Sequence, residues 1–311
     1  MSEIILELAN FSKSFRSHWT YAQKSAVIDV CLGVYRGEAF GYIGHNGAGK
    51  TTTIKCILGL IRASSGSIKF SGSEINAEQR KKIGYLPEQP YFYDHLSVRE
   101  TLLFLGGLHG LRGPVLNERV DKTLAQVKLD HRANSPVRTL SKGLQQRLGF
   151  AQAIINDPEL LILDEPFSGL DPIGRREIRE EIIALNKTGT TIFMSSHILS
   201  DVEDVCDRVA IMARGRLKQV INIKEEHLSR PESVIITFAV DRLNPVFKES
   251  AVAAGALIVE RAPYATIELS DIDSANNLLQ TAIANNMNIL DYSLKRPDLE
   301  EIFFRITEDG Q

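Results

Sequence analysis

"FGYIGHNGAGKTTTIKCILGL", residues 40–60, decides how the rest of the chain is read. Within it Gly44-His45-Asn46-Gly47-Ala48-Gly49-Lys50-Thr51 fits the phosphate-loop pattern G-x-x-x-x-G-K-[ST] at every fixed position. The flanks fit as well: "EAFGYI" reads as a buried strand entering the loop, and "TTTIKCILGL" as a helix leaving it. Glycines let backbone amides curl round a β-phosphate, the Lys50 ammonium reaches β/γ oxygens, and the Thr51 hydroxyl can ligate Mg²⁺.

Kinases, GTPases and motor ATPases share such a loop, so a carboxylate must supply the rest. "ELLILDEP", 159–166, is a short apolar strand ending in Asp164-Glu165. A strand running into the site brings Asp164 to the magnesium, usually through water, and lets Glu165 reach a water lined up on a γ-phosphate. Further along, "LSKGLQQR", 140–147, reads as a helix start: Ser141 is a good N-cap and Gly143 lets a ligand approach the backbone. Exposed amides at a helix N-terminus attract anions, although residues 44–51 already supply one phosphate site.

These stretches, with "SGLD" at 168–171 and "SSH" at 195–197, stand in the order of the ATP-binding subunits of ABC transporters, and the chain resembles that family over about residues 1–222. The resemblance implies an α/β P-loop ABC-type nucleotide-binding domain with a helical subdomain at about 92–156. It implies two such domains packed head to tail around two ATPs, the signature "LSKGL" of one capping the γ-phosphate on the loop of the other. Ser141, Lys142 and Gly143 would then face a nucleotide held by a partner. Gly44 through Thr52 (with His45, Asn46, Gly47, Ala48, Gly49, Lys50 and Thr51) would hold ATP. Glu165 would act as general base beside Lys50 and His197, the latter contacting the γ-phosphate. Asp171, locally an N-cap before Pro172, would belong to the loop that communicates across the dimer. Phe15 matches the aromatic that stacks on adenine, with Trp19 or Tyr21 as alternatives. Mg²⁺ is the implied cofactor, with Thr51 and Asp164 as ligands.

Departures from the pattern carry information. Lys142 replaces the first glycine of the signature pair and Leu144 its glutamine, while His45 takes a place often held by proline. In "IGYLPEQPYFYDHLSVRE", 83–100, Glu88 aligns with the glutamine that normally touches Mg²⁺, and Gln89 falls one residue later. "YLPE", "SKG" and the C-terminal "RPDLEEIFFRIT", 296–307, resemble the ABC-2 type exporter ATPases.

The remaining sequence sets bounds. With 43% apolar and 24% charged residues, the 311-residue chain is globular, and its net charge of −3 gives no support to a nucleic-acid partner. Cys31, Cys56 and Cys206 form no CxxC pair and read as small core residues of a reducing compartment. "MSEIILELAN" lacks a signal-peptide pattern, and stretches such as "LLFLGGL" fall short of the roughly 18 apolar residues a membrane helix needs. A soluble chain is therefore expected. The resemblance places it at the cytoplasmic face of the cell membrane, peripheral through an integral membrane permease, with a second nucleotide-binding subunit as the other partner.

"SVRE", 97–100, is a capping box opening a helix, and "LNERVDKTLAQVKL" gives another helical pattern. "ARGRLKQV" is expected to be a hairpin turning at Arg214-Gly215. Charged "KEEHLSRPES", 224–233, marks a linker bounded at 223–232, followed by a small α+β domain over 233–311. Its strand and helix patterns run β-α-β-β-α-β, the ferredoxin-like order, before a final amphipathic helix. That domain is either regulatory or dimer-supporting, or a stabilising appendage. The leading reading is an ATPase subunit driving a membrane exporter. The alternative is a soluble ABC-type ATPase acting on DNA or ribosomes, which would ordinarily carry long coiled-coil insertions or two phosphate loops. A binding module without turnover would be expected to lack Glu165 or His197, and both are present.

Overall fold

A computed structural model describes residues 3–16, 23–223, 233–239, 245–285, 287–295 and 298–308. Two compact units divide the chain: Met1–Ile223 with Arg305–Gln311, and Lys224–Phe304.

The first unit opens with β1 (Ile4–Arg16), β2 (Gln23–Tyr35), β3 (Ala39–Gly44), α1 (Lys50–Ile57), β4 (Ser65–Phe70) and β5 (Ser73–Glu74). It continues through α2 (Ala77–Arg80), β6 (Ile83–Leu86), α3 (Val98–Leu108), α4 (Gly113–Gln126), α5 (Lys142–Ile154) and β7 (Leu160–Asp164). It closes with α6 (Pro172–Lys187), β8 (Thr191–Ser196), α7 (Leu199–Val205), β9 (Arg208–Ala213) and β10 (Arg216–Asn222). An antiparallel sheet has the order β2-β1-β4-β5, and a second sheet the order β10-β9-β3-β8-β7-β6. In the second, β9, β3, β8, β7 and β6 are parallel and only β10 is antiparallel. Strands β3, β7 and β8 are buried along their whole length. Near-continuous apolar runs do this because a central parallel strand is covered on both faces.

The order matters for the site. Strand β8 lies between β3 and β7, pairing Ile43 with Ser196 and Asp164 with Ser195. Three sequence-distant strand ends, at Gly44, Asp164 and Ser196, therefore finish side by side. A crevice at the carboxyl ends of parallel strands is where open α/β sheets take ligands.

Local signals explain the helices. Ser97 and Glu100 complete the expected capping box of α3. The β9–β10 hairpin turns through Arg214 and Gly215 at φ 51° and 77°, the pair of left-handed residues a type I′ turn needs. Helix α5 presses on β6 so closely that a Cβ at Gly84 would collide with the Ala153 carbonyl. Gly84→Ala is accordingly expected to lower stability by about 1–3 kcal/mol, measured as the shift of the urea midpoint; an unshifted midpoint would show that α5 can retreat freely.

One expectation is corrected. Cys56 and Cys206 are buried, but Cys31 is exposed. Leu8 pairs with Leu32 and Phe11 with Val30, so Ala9 and Asn10 both oppose Cys31. On β2 the buried Val30, Leu32 and Val34 alternate with Cys31, which therefore faces outward, where its Sγ accepts a hydrogen bond from the Asn10 amide at 3.3 Å. The expectation failed because cysteine's general preference for burial was set above the period-2 pattern of its own strand.

In the second unit β11 (Ser233–Ala239), α8 (Pro245–Ala253), β12 (Leu257–Arg261), β13 (Tyr264–Leu269), α9 (Ile272–Ala284) and β14 (Ile289–Lys295) precede α10 (Leu299–Glu308). The sheet order is β12-β13-β11-β14, antiparallel throughout. This is the ferredoxin-like arrangement the order of patterns implies. Val234, Ile236 and Phe238 pack with Ile267 of β13, Phe247 of α8 and Leu278 of α9. Residues 224–232 of the expected linker lie outside the described residues, as do Trp19 and Tyr21. Among the described residues no helix is long and apolar enough to cross a membrane.

Candidate active site

The phosphate loop takes shape from its glycines. Gly47 and Gly49 adopt φ of 82° and 104°, values that cost other residues strain. Gly49 is the N-cap of α1 and brings no side chain to its first amides. Those amides have no intrahelical acceptor and, with the helix dipole, present positive potential to an anion. Around them opens a cavity of about 400 Å³ lined by Asn46–Thr52 on one side, Phe15 and Lys24–Ala26 on another, and Glu88, Glu165 and His197.

The charged groups converge there. Lys50 is buried, its Nζ donating to the Gly44 carbonyl at 2.7 Å and standing 3.6 Å from Glu165 Oε1. Glu165 Oε2 lies 2.7 Å from His197 Nδ1 and 3.4 Å from the His197 amide. At φ 51° Glu165 is itself left-handed, a conformation that persists only where the surroundings impose it. Here they do: its amide donates to the Ser195 carbonyl at 3.1 Å and to Ser195 Oγ at 3.2 Å. Ser195 Oγ in turn donates to Asp164 Oδ1 at 2.5 Å. One buried serine thus fixes both members of the acidic pair.

Asp164 does not line the cavity and is only 2% exposed, with its Oδ1 3.5 Å from Thr51 Oγ1. Burial, reinforced by the Asp164 charge, pushes the neighbouring Tyr85 phenol up to about 12. A carboxylate and a hydroxyl are hard oxygen donors suited to Mg²⁺, which takes few protein ligands and completes its shell with water and phosphate. Among the described residues no group of three or more His, Cys, Asp or Glu could hold a metal ion.

The other candidate residues divide by whether they line this cavity. Glu88 lines the cavity whereas the adjacent Gln89 does not. Gly44 and His45 do not line it either, Gly44 contributing its carbonyl to Lys50 instead. Phe15 is 45% exposed with the Lys13 ammonium 4.9 Å from its ring centre. Ser141, Lys142, Gly143 and Asp171 are absent from the lining of this cavity. Ser141 caps α5, its Oγ accepting from the Leu144 amide at 3.4 Å, and the Lys142 side chain folds over Gly169. Asp171 caps α6 by accepting from the Gly174 amide at 2.8 Å. Sequence reasoning missed Lys24, Ser25 and Ala26, brought in by the pairing of Phe15 with Lys24. It also missed the bonding of Ser195, although "SSH" was the signal for it.

Comparison with known proteins agrees with this geometry. Residues 27–168 match the sequence profile of the ABC transporter family. An uncharacterized ABC transporter ATP-binding protein of Synechocystis is 45% identical over 217 residues, covering 68% of this chain and 61% of the relative. The chain thus spans less than two thirds of that relative's length. The linearmycin resistance ATP-binding protein LnrL of Bacillus subtilis is 36% identical over 299 residues, 92% of this chain and 95% of LnrL. Among solved structures, cbiO1 from Clostridium perfringens, part of the ABC transporter complex cbiONQ, superposes with a TM-score of 0.64 at 28% identity. That match covers 73% of this chain and 92% of cbiO1. The phosphate loop, the acidic strand end and near-full-length likeness to LnrL together place the chain in the family of ABC transporter ATP-binding proteins.

Proposed function

We propose that this chain binds ATP at the α1 N-terminus and hydrolyses it, and that the cycle drives a separate membrane permease that works as an exporter. The observation that carries the reading is the meeting of Lys50, Glu165 and His197 at the mouth of the phosphate loop. In this reading Lys50 and the loop amides hold the phosphates, and Phe15 stacks on the base. Glu165 takes a proton from the attacking water and His197 orients Glu165 and meets the γ-phosphate. Thr51 and Asp164, with Glu88 lining the same cavity, would hold Mg²⁺, which would supply positive charge to offset the charge developing on the phosphates.

Ser141, Lys142 and Gly143 lie outside the cavity lined by their own chain, which supports their serving the nucleotide of a second copy packed head to tail. Asp171 then belongs to the same contact. Export is supported by likeness to a resistance protein, and a permease partner by likeness to a component of a transporter complex. Attachment through that permease would hold the chain at the cytoplasmic face of the membrane.

Phosphate release from ATP by the purified chain, titrated with Mg²⁺, tests the reading. Mg²⁺-dependent release is expected; none at saturating Mg²⁺ and ATP would sink it. In the same titration Glu88→Gln should retain turnover with a shifted Mg²⁺ midpoint, while Gln89→Ala changes little. The reverse ranking would move the metal-facing position to Gln89.

A further inference from the structure

His197 is half exposed, its side chain 51% accessible. With so little packing around it, the ring's seat on Glu165 depends on the 2.7 Å contact of Nδ1 with Oε2 and on where the backbone places it. That backbone is set on one side by β8 and on the other by α7. Between them Ser196 Oγ accepts from the Ile198 amide at 3.0 Å. Helix α7 is short, and two of its residues are buried, Val202 and Asp201.

Asp201 is an unusual residue to bury. Its carboxylate is 3% exposed and accepts from Arg179 Nη2 at 2.9 Å through Oδ1. Oδ2 has no hydrogen-bond donor within reach among the described residues, with Arg175 Nη1 standing off at 4.0 Å. Arg179 also reaches Asp204 Oδ2 at 2.5 Å, gripping α7 at two points. A buried pair so incompletely bonded is a poor stabiliser, since apolar residues of similar volume commonly do as well. Its geometry is informative. Arg175 and Arg179 sit four residues apart on one face of α6, the helix that starts at the N-cap Asp171. The ion pair therefore joins the helix leaving the 168–171 loop to the helix leaving His197.

We propose that Asp201 is a positioning residue: clamped by Arg179, it couples the placement of α6, and so of the Asp171 loop, to the seating of His197 on Glu165. The inference rests on Glu165 being the base and His197 its partner. A shift of the loop where the second copy is expected to dock moves α6. Through Arg179 it moves the first turn of α7, and the imidazole approaches or leaves Glu165 Oε2.

The test measures kcat, KM for ATP and thermal melting for Asp201→Asn and Asp201→Ala, each alone and combined with His197→Ala. A displacement on the order of 1 Å at a reacting geometry costs up to about 100-fold in rate. Asp201→Ala is expected to lower kcat by about 10–100-fold with little change in KM. Asp201→Asn, which keeps the shape and one acceptor, should lose less, and it carries the test if the alanine variant does not fold. In the His197→Ala background neither change should slow turnover further, because the ring they seat is gone. Equal losses in both backgrounds, or no loss in the otherwise unaltered chain, would overturn the coupling while leaving the site reading in place. A His197→Ala variant with undiminished turnover would instead overturn the reading of the site, and the coupling with it.

Discussion

Glu165→Gln is expected to keep ATP binding and to slow turnover by about 10²–10⁴-fold, the range for a positioned acid–base group. The substitution is close to isosteric, and the left-handed backbone at φ 51° is held by Ser195 rather than by the side chain. The amide can still occupy the space between Lys50 and His197, but it cannot accept a proton from water. Loss of the 3.6 Å pairing with Lys50 leaves that cation free for the phosphates, so affinity should not fall. Equilibrium binding of ATP and phosphate release on the same preparation separate the two effects. ATP-bound dimer should also accumulate, because the sandwich is expected to open only after hydrolysis. Near-normal turnover would mean the base lies elsewhere.

What the sequence made legible was local. Ser97, Ser141 and Asp171 each cap the helix that follows them, since a short polar side chain ahead of a helical run satisfies an orphan amide wherever the helix later packs. The phosphate loop is local too, with strand, glycines, lysine and helix all contiguous. In the second unit, alternating runs separated by turn residues suffice for the element order, and the sheet order β12-β13-β11-β14 follows the ferredoxin-like pattern. What stayed hidden depends on residues far apart in the chain. Ser195 reaches Asp164 across 31 positions and Arg179 reaches Asp201 across 22. A serine on an apolar strand or an arginine on an amphipathic helix gives no sign of its partner until the sheet order sets β8 beside β7. Cys31 is a different case: the alternation of Val30, Leu32 and Val34 with it was local and legible, and only the general tendency of cysteine to be buried argued otherwise.

The largest effect is expected from pairing two disabled variants. Lys50 is 6% exposed and is the buried cation at the mouth of the loop; Lys50→Ala should abolish productive ATP binding at its own site. Ser141→Arg puts bulk and charge where the α5 amides would meet a facing γ-phosphate. It also removes an N-cap, at a cost of roughly 0.5–2 kcal/mol, so its melting temperature must be checked first. Homodimers of either variant carry the same lesion in both sites and should trap no nucleotide. In a mixed head-to-tail dimer the lost loop of one copy faces the blocked signature of the other. Both lesions then share one site, and the second site combines an intact loop with an intact signature.

The decisive measurement is therefore nucleotide trapping by mixed Lys50→Ala and Ser141→Arg chains, with heterodimers demonstrated by differential tagging. Trapping in the mixture, at up to one site per dimer and absent from either variant alone, is the expected result. Were Ser141 to serve the nucleotide of its own chain, each site would keep one lesion, and heterodimers that trap nothing would contradict the head-to-tail account.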